Sequence, residues 1–342
     1  MGKTAKGEVH SSSSREQLNG NQRFLASRRD FGRCLLRWFD RNKRDLPWRR
    51  DRDPYHVWLS EIMLQQTRVG AMVEHYHRFL KRFPTLETLA AARLSSVLAA
   101  WSGLGYYRRA HNLHTAAREV VDRRQGRIPA TRAELETLPG IGRYSSAAIS
   151  SIAFGEAVVA VDGNVERVLQ RVLGRSIRGN RLWRAAAELL NAQRPGDFNQ
   201  AMMELGATLC VPREPRCRLC PIRAMCRTQG ELERLPPARR RTKQAVAYAL
   251  DSRRGSLFLV RRSRQMTLMP GMWELPELPM SKRSTGPWLT LRHSITSTDY
   301  LVRVACVRLP PQTRGCWFKT SRVGQLPLTG LARKILRQAK LI

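Results

Sequence analysis

Four cysteines in the second half of the chain stand close enough together to bind one metal. Cys210, Cys217, Cys220 and Cys226 follow a C-x6-C-x2-C-x5-C pattern. Thiolates bind both iron–sulfur clusters and zinc, and short C-x2-C steps occur in both kinds of site. The spacing therefore predicts one metal site. It leaves a cluster and zinc as alternatives, with unrelated buried cysteines as a third interpretation.

A glutamate, Glu61, lies on the apolar face of a predicted helix. Its neighbours at helical spacing are Val57, Trp58 and Leu64. A carboxylate on such a face is either paired with a buried base or kept partly neutral. In the second case burial raises its pKa, and the group can donate a proton near neutral pH as a general acid.

A second carboxylate, Asp162, ends an apolar run over residues 158–161 and precedes a predicted helix. Its position predicts an N-cap, since its side chain can accept N–H bonds from the first helical turn. A carboxylate held by backbone N–H groups stays ionised at neutral pH and can stabilise a developing cation. Capping and catalysis are compatible at this residue.

The segment LPGIGRYSSAAI, residues 138–149, carries Gly140 and Gly142 between two predicted helices. Such a hairpin can direct backbone N–H groups outward at a helix N-terminus, where a phosphate binds without obstruction by side chains. The alternative is an ordinary helical turn with glycine as a C-cap. The segment is a candidate contact for a nucleic-acid backbone.

The charge of the chain indicates a polyanionic partner. Its 342 residues include 61 Lys and Arg against 27 Asp and Glu, a formal net charge of +34. Nucleic acid is the favoured partner; simple solubility and an acidic membrane surface are the alternatives. The hydrophobic content of 42% is sufficient for more than one core.

Periodicity divides the chain into a helical part and a smaller α+β part. From about Asp30 to Arg227 it predicts helices in near succession, and the run LPPARRRTK, residues 235–243, indicates a linker. The predicted helices include Ala90–Trp101, Ala110–Arg124, Leu182–Ala192 and Thr329–Ala339, and the predicted strands are Ala245–Leu250, Ser256–Arg261, Tyr300–Leu309 and Gly315–Lys319.

The remaining cysteines, Cys34, Cys306 and Cys316, are scattered and indicate no disulfide framework. The N-terminal residues are polar and lack the apolar region of a signal peptide, and no stretch approaches the length of a membrane span. These features predict a cytoplasmic, nucleoid-associated protein.

Seven motifs in order resemble those of the MutY-type adenine DNA glycosylases, within the endonuclease III superfamily of helix-hairpin-helix glycosylases. The resemblance covers about Asp30 to Arg227 and weakens beyond. The motifs are LPWR at 46–49, WLSEIMLQQT at 58–67, GLGYYRRAHN at 103–112, LPGIGR at 138–143, VDGN at 161–164, FNQAMMELGA at 198–207 and the cysteine loop.

The resemblance implies hydrolysis of the N-glycosidic bond of adenine mispaired with 8-oxoguanine or guanine, in base excision repair. Glu61 would protonate adenine, Asp162 would stabilise the oxocarbenium-like sugar, and Asn164 would orient one of them. Tyr144 stands where bifunctional relatives have a lysine nucleophile. Because a phenol cannot form a Schiff base, efficient strand cleavage is not expected.

Family positions also imply a set of DNA contacts and the metal. Trp48 and Arg49 would line the adenine pocket, a polar wedge would probe the opposite strand, and an aromatic residue would stack at the lesion. The cysteines would hold a [4Fe–4S] cluster. The residues so assigned to DNA are Trp48, Arg49, Leu64, Gln65, Gln66, Thr67, Tyr106, Gly140 and Gly142.

The C-terminal region resembles the Nudix-like lesion-recognition domain of these enzymes through TLMPGMWELPELP, residues 267–279. No Nudix catalytic box follows, so pyrophosphohydrolase activity is not expected. In the family a Phe-Ser-His loop contacts the oxidised guanine, and here Ile295, Thr296 and Ser297 stand in its place. We therefore expect this protein to discriminate less between A:8-oxoG and A:G pairs than relatives with the Phe-Ser-His loop do.

The predicted organisation is a polar tail over 1–27, a mainly α glycosylase domain over 28–227, a linker over 228–243 and an α+β Nudix-like domain over 244–342. The expected partner is double-stranded DNA with A:8-oxoG or A:G mispairs. The protein is expected to be a monomer and not to bind a membrane. Two rival functions remain at this point: a related glycosylase with another target, such as thymine, and a metal-dependent DNA-binding protein without catalytic activity.

Overall fold

The computed structural model describes residues 29–67, 69–232, 242–263, 265–266, 269–279, 288–295 and 298–342. They group into two compact units, one made of residues up to Glu61 with Ile128–Leu235, the other of Ile62–Arg127 with Pro236–Ile342. The predicted tail over 1–27 and linker residues 233–241 lie outside the described residues. The domain limits at 28, 227 and 244 stay a prediction.

The first unit is helical, as the periodicity predicts. Its helices are α1 over residues 29–42, the start of α2 (Pro54–Leu64), α7 (Arg132–Leu135), α8 (Arg143–Ala153), α9 (Gly163–Leu173), α10 (Gly179–Leu189) and α11 (Pro195–Thr208). Short 3-10 turns cover Pro47–Arg49, Cys217–Leu219 and Arg223–Met225.

Helices α1, α9 and α11 contribute apolar faces to the core of this unit. Phe31, Leu35 and Phe39 of α1 share one buried cluster with Leu169 of α9 and Leu205 of α11. Removing such side chains from water supplies the main stabilisation of the helices, at about 25 cal/mol per Å² of apolar surface. The core thereby fixes both ends of α9, the helix that follows Asp162.

The second unit contains further helices and all the strands of the described residues. Its helices are α3 (Val69–Arg82), α4 (Leu86–Ala91), α5 (Leu94–Ala100), α6 (Arg108–Arg124), α12 (Thr320–Val323) and α13 (Gly330–Gln338). The helix predicted over Ala90–Trp101 is wrong as a single element. Ala92 is extended, with φ −67° and ψ 151°, so the chain forms α4 and α5 instead.

The C-terminal region contains two small sheets. Their strands are β1 (Thr242–Leu250), β2 (Ser252–Arg253), β3 (Ser256–Arg261), β4 (Trp273–Glu274), β5 (Glu277–Leu278), β6 (Leu289–Ile295), β7 (Thr298–Cys306) and β8 (Cys316–Lys319). One sheet has the order β5-β1-β7-β6, with β1 and β7 parallel. In the other, β3 pairs with β2, β4 and β8. An α+β C-terminal region is thus confirmed.

Helix α13 closes the core of this region. Its residues Leu331, Ile335 and Leu336 are buried in one cluster with strand residues such as Val302 and Val304. Thr329 caps the helix by accepting a hydrogen bond from the Ala332 N–H at 3.2 Å. None of the helices in the described ranges combines the length and apolar character needed to span a lipid bilayer.

Candidate active site

Helix α2 brings Glu61 into the interior of the first unit. Asp53 starts the helix by accepting hydrogen bonds from the N–H groups of Tyr55 (2.8 Å) and His56 (3.1 Å). Proline is favoured at the first helical position, where Pro54 stands, because its missing N–H would have no partner there. Glu61 is only 6% exposed, which confirms the predicted apolar face.

Glu61 is buried beside a phenol. The Tyr144 hydroxyl, from α8, donates to Glu61 Oε2 at 2.8 Å and also contacts Met203 Sδ at 3.4 Å. Burial raises the pKa of Glu61 from 4.5 to about 7, and the negative charge of Asp162 adds to the rise, against the Tyr144 hydrogen bond and the charge of Arg49. The carboxyl group therefore keeps its proton in a large fraction of molecules near neutral pH.

Asp162 caps α9, as the sequence predicts. Its Oδ1 accepts a hydrogen bond from the Val165 N–H at 2.7 Å, and its Oδ2 accepts one from Asn164 Nδ2 at 3.0 Å. Both carboxylate oxygens thus have donors within the first turn of the helix. The charges of Glu61 and Asp162 both raise the pKa of Tyr144, after the larger effect of its burial. Glu61 thus contacts Tyr144 directly, and Asp162 influences the same tyrosine through its charge.

Arg167 continues this set of contacts and is not among the residues predicted for the site. Its Nη2 donates to Asn164 Oδ1 (2.8 Å) and to the Gly206 carbonyl (2.7 Å), while its Nε donates to the Cys210 carbonyl (2.8 Å). The spacing of Asn164 and Arg167 by three residues on α9 was a usable signal. The two carbonyl partners are backbone atoms and left no trace in the sequence.

Gly206 makes the close approach of α11 to Asn164 possible. A Cβ atom at this glycine would lie 2.7 Å from Asn164 Cβ and 3.1 Å from its carbonyl oxygen. Real Cβ atoms essentially never approach another atom to 2.7 Å, so a larger residue would displace Asn164 or α11. Glycine in the FNQAMMELGA motif therefore has a packing role next to the Asp162 cap.

Arg49 is engaged by a buried glutamate. Glu204, whose side chain is fully buried, accepts hydrogen bonds from Arg49 Nη2 at 2.9 Å and from Arg44 Nε and Nη2 at 2.6 and 2.8 Å. Burial would raise the pKa of Glu204, but the two guanidinium groups outweigh that effect and lower it. Trp48 is 6% exposed. The guanidinium of Arg49 thus binds Glu204, and its positive charge lowers the pKa of Glu61.

The hairpin glycines form a turn between α7 and α8. Gly140 has φ +81°, a left-handed conformation that favours glycine, and Gly142 is the N-cap residue of α8. The space around a Cβ at Gly142 is open within 4 Å. Arg143 stacks on the ring of Trp183, 4.0 Å from its centroid, beside this turn. The backbone at the start of α8 is thus exposed, as a phosphate contact requires.

The wedge residues lie in the second unit and are held by one arginine, Arg109. Its Nη1 donates to the carbonyls of Ile62 (2.8 Å) and Met63 (3.0 Å), and also to that of Gln65. Its Nη2 donates to Thr67 Oγ1 at 3.4 Å. Leu64, which lies between Met63 and Gln65 in the sequence, is half-buried. Arg109 is not among the residues predicted for the site.

Two residues assigned to DNA contact have left-handed backbones although they are not glycine. Gln66 has φ +57° and Tyr106 has φ +47°. The side chain of Tyr106 is 47% exposed, and the Arg109 guanidinium lies 5.5 Å from its ring centroid. Such conformations cost energy and often mark functional loops. The predicted role of Tyr106 in stacking agrees with this exposure, and plain core packing does not.

The cysteine loop brings its four thiols to one small cavity. Cys210, Cys217, Cys220 and Cys226 all line it. Arg171 Nη1 donates to Cys210 Sγ at 3.3 Å. Within the described ranges no three His, Cys, Asp or Glu side chains are already placed to hold a metal ion. The donor set nevertheless fits a metal that prefers thiolates.

The lesion-recognition residues are placed only in part. Ile295 is the last residue of β6 and pairs with Thr298 of β7, whereas Thr296 and Ser297 lie outside the described residues. Strands β4 and β5 both lie in the segment 267–279 that resembles the lesion-recognition domain. Glu274 of β4 accepts hydrogen bonds from Arg262 Nη1 through both carboxylate oxygens, at 2.8 and 2.7 Å. The roles of these residues stay a prediction.

Comparison with solved structures identifies a known fold for about 60% of this chain. A thermostable thymine-DNA glycosylase superposes with a TM-score of 0.56 and 31% identity over 60% of this chain and 97% of its own. An endonuclease III–DNA complex gives a TM-score of 0.51 at 22% identity, over 59% and 96%. The latter likeness concerns the fold alone.

Comparison with protein families and curated sequences is more specific. Residues 59–190 match the family model for the HhH-GPD superfamily base excision DNA repair protein. Adenine DNA glycosylase from Rattus norvegicus is 47% identical over 226 residues, which are 60% of this chain and 44% of that protein. The same-named protein from Schizosaccharomyces pombe is 32% identical over 324 residues, 74% of this chain and 70% of that protein.

The chain spans less than half the length of the mammalian relatives it matches. It covers 70% of the yeast relative, however. The residues matched by the family model, 59–190, include Glu61, the hairpin and the capping Asp162. The chain therefore belongs to the MutY-type adenine DNA glycosylases of the HhH-GPD superfamily.

Proposed function

We propose that this protein removes adenine from A:8-oxoG and A:G mispairs in duplex DNA by hydrolysing the N-glycosidic bond. The observation that carries the proposal is the pair of carboxyl groups around Tyr144. Glu61 is buried and has a pKa of about 7, and Asp162 receives two hydrogen bonds at a helix N-terminus. Pairs of carboxyl groups in contrasting surroundings divide acid and anion roles in other enzymes that cleave glycosidic bonds.

Glu61 is the proton donor in this proposal. Its protonated carboxyl group transfers a proton to N7 of the extruded adenine, which makes the base a better leaving group. Tyr144 donates its hydroxyl hydrogen to Glu61 Oε2. This contact orients the carboxyl group and stabilises its anion after the proton has left. The same carboxylate can then accept a proton from the attacking water.

Asp162 stabilises the sugar as positive charge develops on it. Its carboxylate is fixed by the Val165 N–H and by Asn164, so that it needs little rearrangement during the reaction. Asn164 is fixed in turn by Arg167. The helix cap thus doubles as a preorganised anion next to the reacting carbon.

Tyr144 supports a reaction that stops at base removal. A lysine at this position could attack the sugar and cleave the strand through a Schiff base, whereas a phenol has no amine for that step. Burial and the two nearby carboxyl groups raise the pKa of Tyr144 further, so its hydroxyl stays protonated. Water is therefore the nucleophile, and the product strand stays intact.

The DNA duplex would be bound by basic and backbone donors. The net charge of +34 attracts the phosphates, and the exposed turn at Gly140 and Gly142 offers N–H groups to one of them. The loop with Gln65, Gln66 and Thr67 would fill the space left by the extruded base. The C-terminal α+β region would read the 8-oxoguanine as a Nudix-like domain without hydrolytic activity.

The four cysteines would hold a [4Fe–4S] cluster. Four thiols at one cavity match the ligand set of such a cluster, and Arg171 binds the backbone of the loop through the Val211 and Pro212 carbonyls at 2.8 and 2.9 Å. A cluster bound there would tie the two ends of the loop together through metal–thiolate bonds. Its proposed part is structural, in holding basic residues such as Arg218 against DNA.

Metal analysis of the purified protein tests this assignment. We expect iron and acid-labile sulfide in equal amounts, roughly four of each per chain. Cys217→Ser is expected to lose most of both, because three thiolates hold a cluster poorly, whereas Cys306→Ser alters an exposed cysteine outside the loop and should keep them. Stoichiometric zinc in protein purified without oxygen would contradict the cluster.

Base release from a panel of duplexes tests the proposed activity. We expect adenine to be released from A:8-oxoG and A:G pairs, with no thymine released from G:T pairs and no adenine from A:T pairs. The strand should break at the new abasic site only after treatment with alkali. Release of thymine would indicate the other glycosylase activity, and no release at all would indicate a DNA-binding protein without catalysis.

A further inference from the structure

A buried polar junction joins two distant parts of the second unit. The Tyr107 side chain is 3% exposed, and its hydroxyl donates to the Leu328 carbonyl at 2.9 Å. Ser102 Oγ lies 3.3 Å from the Tyr107 hydroxyl and 3.4 Å from the same carbonyl. Burial of unpaired polar groups is costly, so these groups hold one another in place.

Helix α13 adds a guanidinium to this junction. Arg333 Nε donates to Ser102 Oγ at 2.7 Å, and its Nη2 donates to the Gly324 carbonyl at 3.2 Å. Burial lowers the pKa of Arg333. The hydrogen bonds of these two nitrogens offset part of the cost of half-burying the cation.

On one side, the junction leads to the segment that resembles the lesion-reading turn. Leu328 forms a bridge with Trp273 of β4. The Trp273 N–H donates to the Pro327 carbonyl, and the Thr329 N–H donates to the Trp273 carbonyl, both at 2.9 Å. Leu328 therefore cannot shift without moving the β4 strand.

On the other side, the junction leads to the wedge. Tyr107 precedes α6 by one residue, and Arg109 of that helix donates to the Leu104 and Gly105 carbonyls at 3.1 and 3.3 Å. The same guanidinium binds the carbonyl of Gln65 and the Thr67 hydroxyl. One short segment thus connects the wedge loop to Tyr107 through hydrogen bonds.

We propose that Tyr107 is a positioning residue for mispair specificity, which couples the Gln65–Thr67 loop to the C-terminal β4 strand through Leu328. This inference rests on the proposed function. Tyr107 does not itself contact DNA in this proposal. It fixes the distance between the loop that enters the duplex and the strand that reads the base opposite adenine, so that both engage at once. The coupling therefore raises the rate of adenine release only for a base pair that the C-terminal region recognises.

The test is Tyr107→Phe, which removes one hydroxyl and leaves the ring. We expect the rate of adenine release from A:8-oxoG relative to A:G to fall about fivefold, the equivalent of ~1 kcal/mol for one lost hydrogen bond. The rate on A:G itself should stay within about twofold, since that pair gains nothing from the coupling. Tyr76→Phe is the matched control, because Tyr76 is equally buried, at 2% exposure, in α3 of the same unit.

A double-mutant cycle adds a measurement that loss of stability alone would not change. Gln65→Ala should lower the A:8-oxoG preference in the parent protein and lower it less in Tyr107→Phe, because coupled sites are not additive. Equal loss on both duplexes, or full additivity, would overturn the proposal. Ser102→Ala removes the acceptor of Arg333 and must give the same pattern if Tyr107→Phe does not fold. A parent protein that releases no adenine from either duplex would instead refute the proposed function.

Discussion

Replacing Glu61 with glutamine is expected to slow adenine release by about 10²- to 10⁴-fold under single-turnover conditions, the range that a positioned general acid contributes. Glutamine keeps the shape of the side chain and an oxygen that can accept the Tyr144 hydrogen bond, but its amide N–H groups are not acidic enough to transfer a proton. Binding of the mispaired duplex should be retained. Glu119→Gln is the matched control, since Glu119 pairs with the exposed Arg123 at 3.8 Å and is not one of the proposed site residues.

The same substitution should stabilise the fold at high pH. Below pH 4.5 Glu61 is protonated in both the folded and the unfolded chain. Between pH 4.5 and about 7 the unfolded chain loses the proton while the folded protein keeps it, so the stability of the parent falls as pH rises. The difference between these pKa values corresponds to ~3 kcal/mol.

Urea unfolding at pH 4.5 and pH 8 measures this effect. Glu61→Gln should be more stable than the parent by up to ~3 kcal/mol at pH 8 and close to it at pH 4.5. The adenine-release rate of the parent should decline above about pH 7, where Glu61 loses its proton. A glutamine variant as active as the parent would refute the role of Glu61, and a pH-independent stability difference would refute its raised pKa.

Replacing Asp162 with asparagine is expected to separate its two roles. Asparagine is as good an N-cap residue as aspartate, so the free energy of unfolding should change by less than about 1 kcal/mol. The negative charge beside the sugar is lost, however, and adenine release should fall by roughly 10²- to 10³-fold, the effect of removing one preorganised electrostatic group.

Asp162→Ala is the comparison that identifies the cap. It should lose as much activity as the asparagine variant and also destabilise the protein by ~1 kcal/mol, because the Val165 N–H loses its acceptor. Thermal or urea unfolding gives the stability, and single-turnover kinetics gives the rate. If the asparagine variant releases adenine at the rate of the parent, Asp162 has only a structural role.

Local features of the site could be predicted from the sequence because they depend on nearby residues. The apolar neighbours of Glu61 lie within one turn of the same helix, and the cap at Asp162 involves the next three residues. Strand β3 matches the predicted Ser256–Arg261, since its β-branched and aromatic residues and the turns beside it are local signals. Helix α6 begins two residues before the predicted Ala110.

The missed features depend on contacts between distant residues. Arg167 binds carbonyls about forty positions away, and Arg109 binds carbonyls more than forty positions earlier. Backbone acceptors are the same at every residue, so no pattern of residue types reveals them. The break at Ala92 between α4 and α5 has no proline or glycine to indicate it. The sequence therefore predicted helices and strands better than it predicted the long-range contacts between them.

The hydrogen bonds from Arg109 to the Gln65–Thr67 loop affect the free energy of association with DNA. Because Arg109 binds the carbonyls of Ile62, Met63 and Gln65 within the free protein, the loop loses its conformational freedom during folding and not on encounter with a partner. A loop already set in its final geometry adds little entropic penalty to complex formation. The unfavourable part of association would then come chiefly from the duplex, in unstacking the base that leaves the helix.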